Sequence, residues 1–148
     1  MIDERHANEL LLSGNRDAGL QELRSAADAG RSDTDATPAD LARVLINLSY
    51  QLRFDNVTGT YHPENFAECE ALLDEVEGLL SASPERPDGW TWLAWHTAMR
   101  GLLIAQHRRA DAVAATDRQL GRIQALEDAD AQTIERLRGW RSIDLVNA

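Results

Sequence analysis

Lysine is missing from this chain: all 15 basic residues are arginine, set against 25 acidic ones. That is the pattern a GC-rich genome produces by favouring arginine codons, and a halophile's acidic surface is the alternative. The formal net charge of −10 repels phosphate backbones, so nucleic acid and anionic membranes are not expected partners. The densest basic cluster, "HRRAD" at 107–111, is too short to reverse that field. Cysteine is nearly absent, and Cys69 alone cannot make an internal disulfide, as in a reducing compartment. No apolar run approaches the roughly 18 residues of a membrane span. The first residues, "MIDERHANELLLSGNRD", lack the basic start, apolar run and cleavage site of a secretion signal. A cytoplasmic location is expected.

Catalytic and metal motifs are missing as well. There is no phosphate-cradling glycine loop, no Gly-x-Ser-x-Gly turn and no dinucleotide fingerprint. His6, His62, His96 and His107 stand in no recognised ligand spacing, and His96 falls on an apolar helix, where a packed histidine is expected. Glu64, Glu68, Glu70, Asp74, Glu75 and Glu77 read as the solvated face of an amphipath. Cys69, on the same helix, reads as an inert buried thiol. The expectation is a non-enzyme without metal or cofactor.

What is there is helix. The 148 residues, 43% hydrophobic and 27% charged, suit one globular domain, and period-2 alternation is nowhere sustained. "FDNVTGTY", 54–61, the one strand candidate, reads better as a loop. A first helix, about 3–13, is broken by "SGN"; a second, about 16–29, is stopped by Gly30. "TPAD" at 37–40 has a capping threonine, a proline at the first position and an acid in the first turn, starting a helix that reaches about 53. The next, about 64–82, carries Phe66, Cys69, Leu72, Leu73, Val76, Leu79 and Leu80. A further helix runs to about 106, "HRRAD" bends into another, and the last, about 129–145, sets Ile134, Leu137, Trp140 and Ile143 at three-residue steps. The fold class is all-α: hairpins at about 3–29, 38–82 and 88–126, then a terminal helix.

"SPERPDGWTWLAWHT" resembles the junction of the tetratricopeptide repeat (TPR) family, with Pro84, Trp90, Leu93 and Ala94 in the matching positions. Ala7, Leu10, Gly14, Gly19, Leu23 and Ala26 resemble a first repeat, and Leu45, Leu48, Ser49 and Leu52 a second. Thr97 and His6 depart from the pattern, and the small residues at 7, 49 and 94 lie farther apart than a repeat of about 34 residues. The resemblance implies a solenoid of three helix hairpins with a C-terminal cap, a concave groove, and a protein–protein interaction module such as an adaptor. Some TPR proteins that clamp a C-terminal carboxylate carry asparagines matching Asn8 and Asn47, and cations where this chain has Glu4, Asp88 and Trp92. With that charge reversed, the implied partner is a basic or polar peptide, bonded by Asn8 and Asn47 and offered the face of Trp92. On a helix, Trp90, Leu93, Thr97 and Ile104 share one side, and Trp92, Trp95, Met99 and Leu102 nearly the opposite one. A helix apolar all round reads as buried. Two alternatives stand beside the adaptor. Trp140, Ile143, Leu145 and Val146 form a self-association seam giving a homodimer, or the domain senses a small ligand.

Overall fold

The structure, a computed structural model, describes residues 2–83, 87, 89–126 and 130–148. Seven α-helices occur among them: α1 (Arg5–Leu12), α2 (Arg16–Ser32), α3 (Pro38–Arg53), α4 (Phe66–Ala82), α5 (Gly89–Ala105), α6 (Arg109–Gln124) and α7 (Ala131–Val146). The all-helical expectation holds, and sequence neighbours pack on one another from α1 to α4 and from α5 to α7. They fall into two compact units, Met1–Pro84 and Glu85–Ala148.

In unit 1 the local chemistry sets the ends of the helices. The Asp3 carboxylate accepts the Arg5 backbone N–H at 3.0 Å ahead of α1. Gly14, at φ +86°, closes α1, with Asn15 N–H bonded back to the Leu10 carbonyl at 2.8 Å. An L side chain resists that conformation, so glycine belongs there. The Thr37 hydroxyl accepts the Asp40 N–H at 3.1 Å, and Pro38 needs no donor at the first position. Gly30 does not stop α2, which continues to Ser32. It is a contact residue: a Cβ there would lie 2.7 Å from Ile2 and 3.2 Å from Leu41. Gly19 does the same between α1 and α2, where a Cβ would lie 3.1 Å from the Ala7 carbonyl.

The segment read as a loop holds a short β-hairpin. β1 (Phe54–Asp55) pairs antiparallel with β2 (Thr60–Tyr61), and the Phe54 and Tyr61 rings sit 4.8 Å apart. Asn56, Thr58 and Gly59 form its turn: Gly59 is at φ +69° and the Asp55 carboxylate accepts Val57 N–H at 2.9 Å. A 3₁₀ turn, Pro63–Asn65, leads into α4.

The core of unit 1 is aliphatic. Leu23, Leu45, Leu52, Leu73 and Leu80 are fully buried, each contributing about 1.5–3 kcal/mol. Not all acids of α4 are simply solvated. Arg24 forks onto Glu68, and Arg31 onto Glu75 at 2.8 and 2.9 Å, two rungs seven residues apart that tie α2 to α4. Cys69 is buried and gives its S–H to the Ser49 carbonyl. Burial raises this thiol to about 11 despite nearby Arg53, which makes it inert.

Unit 2 has a different interior. Trp95, Leu102, Ile123 and Leu137 are fully buried, but so are His96, Thr116, Gln119 and Asp144. Asp144 is held by Arg100 at 2.8 and 2.9 Å and by Arg109 at 3.0 Å, which anchors the end of α7 on α5 and α6. Asp130 caps α7 by accepting the Gln132 N–H at 3.0 Å. The buried face of α7 is Thr133, Leu137 and Asp144; Ile143, placed inward by the three-residue steps, is 52% exposed.

Candidate functional site

Three of the five residues expected in a partner groove are brought together in unit 1. Glu4, Asn8 and Leu12 recur every fourth residue along α1, and Arg43, Asn47 and Gln51 recur the same way on α3, so each set forms one stripe. The stripes meet through side chains. Asn47 donates from Nδ2 to Glu4 Oε1 at 2.9 Å and to Asn8 Oδ1 at 3.1 Å. Its own Oδ1 accepts from Gln51 Nε2 at 3.3 Å. Arg43 reaches the other Glu4 oxygen at 3.5 Å.

Asn47 is therefore a hub and not a free ligand group: both its donors are engaged inside the protein. The uncommitted capacity lies beside it. Among the described residues, no partner is found for the two Nδ2 donors of Asn8 or for Oε1 of Gln51. Both residues line a cleft of about 350 Å³, together with Leu11, Leu12, Arg16 and Asn47 and with Asp55 and Asn56 of the β-hairpin. Past Asn8 the depression continues over Ile2, Asp3, Glu4, Arg5 and Arg43. Leu12 is 76% exposed at the cleft edge.

Charges in the cleft are held by neighbours. Side-chain hydrogen bonds from Arg5, reinforced by its backbone N–H, lower Asp3 to about 2. The Val57 backbone N–H, with Arg16 nearby, lowers Asp55. Arg16 also donates to the Leu52 carbonyl at 3.2 Å, closing the end of α3.

Gln51, Arg43 and Leu12 were not anticipated as site residues. The available signal was spacing: each lies four residues from Asn47 or Asn8 on the same helix. Asp88 lies outside the described residues. Trp92 is not a groove residue. It is 5% exposed, stands edge-on to Trp95 at 6.1 Å and lies under the Arg122 guanidinium at 4.5 Å. Gln119 donates to its carbonyl at 3.1 Å. The exposed tryptophan is Trp90, at 72%, on a stripe with Ala94 and Thr97; α5 is not covered all round. Trp92 and Trp95 belong to a packed interior, and Trp140 lies at its edge.

His96 belongs to that interior too. Its ring stacks on Trp140 at 5.8 Å. The Thr116 hydroxyl gives its proton to the Ala112 carbonyl at 3.0 Å, so His96 Nε2–H donates to Thr116 at 3.1 Å and Nδ1 carries the lone pair. That Nδ1 is buried without a hydrogen-bond partner. Burial, with Arg100 nearby, lowers the imidazole to about 4, so it is neutral near pH 7. Trp140 is half-buried, whereas Ile143, Leu145 and Val146 are exposed. Among the described residues no group of three or more His, Cys, Asp or Glu is placed to hold a metal ion, and no helix is long and apolar enough to cross a membrane.

No family model, curated protein or solved structure matches the chain.

Proposed function

We propose that the protein is a non-enzymatic interaction module, an adaptor that holds a polypeptide segment of a partner in the cleft between α1 and α3. The observation that carries this is the amide cluster: Asn47 bonds both Asn8 and Gln51, and the residues that keep uncommitted donors and an uncommitted acceptor line the same cleft. A polypeptide main chain carries one donor and one acceptor per residue, the complement of that pair. The exposed Leu12 beside it supplies an apolar contact. The lining amides and paired ions suit binding; none is set as a nucleophile beside a base. A tetratricopeptide-like array goes with this reading, supported within unit 1 by the close approach of α1 and α2 at Ala7 and Gly19. A cytoplasmic setting goes with it too, supported by the buried unpaired Cys69.

The test is selection of a displayed random-peptide library on the full chain. Enriched peptides should lose roughly tenfold or more in affinity, worth about 1.4 kcal/mol, for Leu12→Asp and for the double variant Asn8→Ala, Gln51→Ala. Peptides that bind these folded variants as well as the wild type would end the reading.

Self-association is the second reading, favoured by Ile143, Leu145 and Val146, which are 52%, 48% and 84% exposed on the last turns of α7. Trp140, half-buried, packs against His96 and lies 5.0 Å from the Arg100 guanidinium, so it offers that seam only its remaining surface. Sedimentation over a range of concentrations, with Val146→Asp as the control, decides it: a constant monomer mass eliminates the homodimer.

A further inference from the structure

Unit 1 is strongly acidic. Residues 1–84 contain sixteen Asp and Glu against six Arg, a balance of −10. An arbitrary stretch of its surface should be acidic too. The cleft and its continuation are not: Asp3, Glu4 and Asp55 line them together with Arg5, Arg16 and Arg43. These charges are also matched in place. Asp3 meets Arg5 at 2.9 Å and Glu4 meets Arg43 at 3.5 Å, while the Val57 and Thr58 backbone N–H groups lower Asp55, with Arg16 the smallest influence. Asp40, which also touches Arg43 at 3.6 Å, lines neither part. Glu4 is further fixed by the Asn47 amide, and its side chain is only 13% exposed.

From this we infer that the segment bound in the cleft is uncharged where it touches α1 and α3, and is recognised through its main chain. The inference rests on the reading of the cleft as a polypeptide site, and of the basic or polar peptide implied by sequence resemblance it keeps the polar one. A lysine or arginine entering the cleft would have to displace Arg5 or Arg43 from its carboxylate. It would lose its own hydration and gain only an exchange of one ion pair for another. An acidic side chain meets the same exchange at Arg43, which it would have to draw from Glu4 and Asp40. A main-chain amide meets no such competitor, because the donors of Asn8 and the acceptor of Gln51 have no internal partner among the described residues.

The dimensions fix the length. From Arg5 to Leu12 the path along α1 is about 10 Å at 1.5 Å per residue, and an extended chain covers that in about three residues. The occupant is thus a short extended stretch of small or amide-bearing residues, with one aliphatic side chain over Leu12.

The test uses three displayed peptide libraries of equal length on the full chain: one of uncharged residues, one with lysine at alternate positions and one with glutamate there. The wild type should enrich the uncharged library. Binding of the selected peptides should change less than about twofold between 0.1 M and 1 M NaCl, where the Debye length falls from ~10 to ~3 Å. Arg43→Gln removes the counter-ion of Glu4, and this variant should shift its preference to the lysine library. Leu12→Asp, on a side chain already exposed, checks that the peptides sit in the cleft without risking the fold. Enrichment of the lysine library by the wild type, with salt-sensitive binding lost in Leu12→Asp, overturns the uncharged occupant and leaves the cleft as a peptide site. Peptides indifferent to Leu12→Asp, or no enrichment from any library, overturn the cleft reading and this inference with it.

Discussion

The two units divide the chemistry of the chain between them. Residues 1–84 carry sixteen acids and six arginines, residues 85–148 nine of each, so the whole net charge of −10 lies in unit 1. Both tyrosines lie in unit 1 and all four tryptophans in unit 2. Among the described residues, Ser49 is the one buried polar side chain of unit 1, against His96, Thr116, Gln119, Thr133 and Asp144 in unit 2. Unit 2 turns polar groups inward, where they bond arginines, a backbone carbonyl, Asp130 or each other and act as structure. Unit 1 keeps an aliphatic core and puts its amide cluster at a surface opening. The tryptophan-rich stretch is the more conspicuous in sequence, yet the groups with bonding capacity to offer a partner are in the other unit.

The largest test of that division is Asp144→Ala. It leaves Arg100, with its side chain 17% exposed, and Arg109 without their shared partner. Removing one member of a buried ion pair costs about 3–5 kcal/mol. Because the tryptophans report on unit 2 alone, urea unfolding followed by their fluorescence should shift by that amount. In unit 1 the counterpart is a core deletion: Leu45→Ala should cost about 2–5 kcal/mol, read as loss of helix by circular dichroism. A shift of under about 1 kcal/mol for Asp144→Ala would mean the carboxylate is not the structural anchor of α7.

Acid should separate the units next. His96 is buried neutral, lowered from 6.5 to about 4, so the unfolded chain takes up a proton near pH 6.5 that the folded one refuses until about pH 4. Stability is lost as pH falls through that window and is independent of this group above it. Between pH 7 and 5 the loss is about 2 kcal/mol for wild-type unit 2. His96→Gln removes the titration, so its tryptophan unfolding midpoint should lack this pH-dependent component. Equal slopes for the two proteins would show that the imidazole is not desolvated.

How these features could be read in advance depends on whether their cause is local. The start of α3 was legible because Thr37, Pro38 and Asp40 act within one turn, and the end of α1 because Gly14 alone relieves a left-handed residue. The hairpin at 54–61 was missed because its turn residues hid two-residue strands too short to show a period. Trp92 was misplaced because helical phase separates two faces without saying which is covered. Asp144 with Arg100, 44 positions apart, leaves no local pattern at all. Asn8 and Asn47 were singled out by resemblance, but the hub role of Asn47 emerged only once Glu4 and Gln51 stood around it.

Both units end a helix in the same way, with different residues. Gly14 closes α1, and His107, at φ +58°, closes α5, where Arg108 N–H returns to the Leu103 carbonyl at 2.8 Å. A left-handed residue other than glycine costs about 1–2 kcal/mol. His107→Gly should therefore raise the stability of unit 2 by about 1 kcal/mol, and Gly14→Ala should lower that of unit 1 by a similar amount. Thermal melts of the two variants should move in opposite directions; movement in the same direction would break the equivalence of the two caps.

Salt should give the smallest effect, and its sign discriminates between two forces in unit 1. Added NaCl weakens the Arg24–Glu68 and Arg31–Glu75 rungs, whose side chains are about one-third exposed or more; such pairs are worth about 0.2–1 kcal/mol each. It also weakens the mutual repulsion of ten excess negative charges. The partners in the rungs touch, inside the Debye length even at 1 M, where it is ~3 Å. The repelling carboxylates are spread over a whole surface, many of them farther apart than that length at 0.1 M. Screening therefore acts more on the repulsion than on the rungs, and unit 1 should gain stability with salt, by less than about 1 kcal/mol. Unit 2, with nine charges of each sign and its strongest ion pair buried, should barely respond. Residue-resolved amide exchange at low and high NaCl separates the two: protection rising in α2 and α4 but not in α5 and α6 sets repulsion above the rungs, and protection falling in α2 and α4 reverses that order.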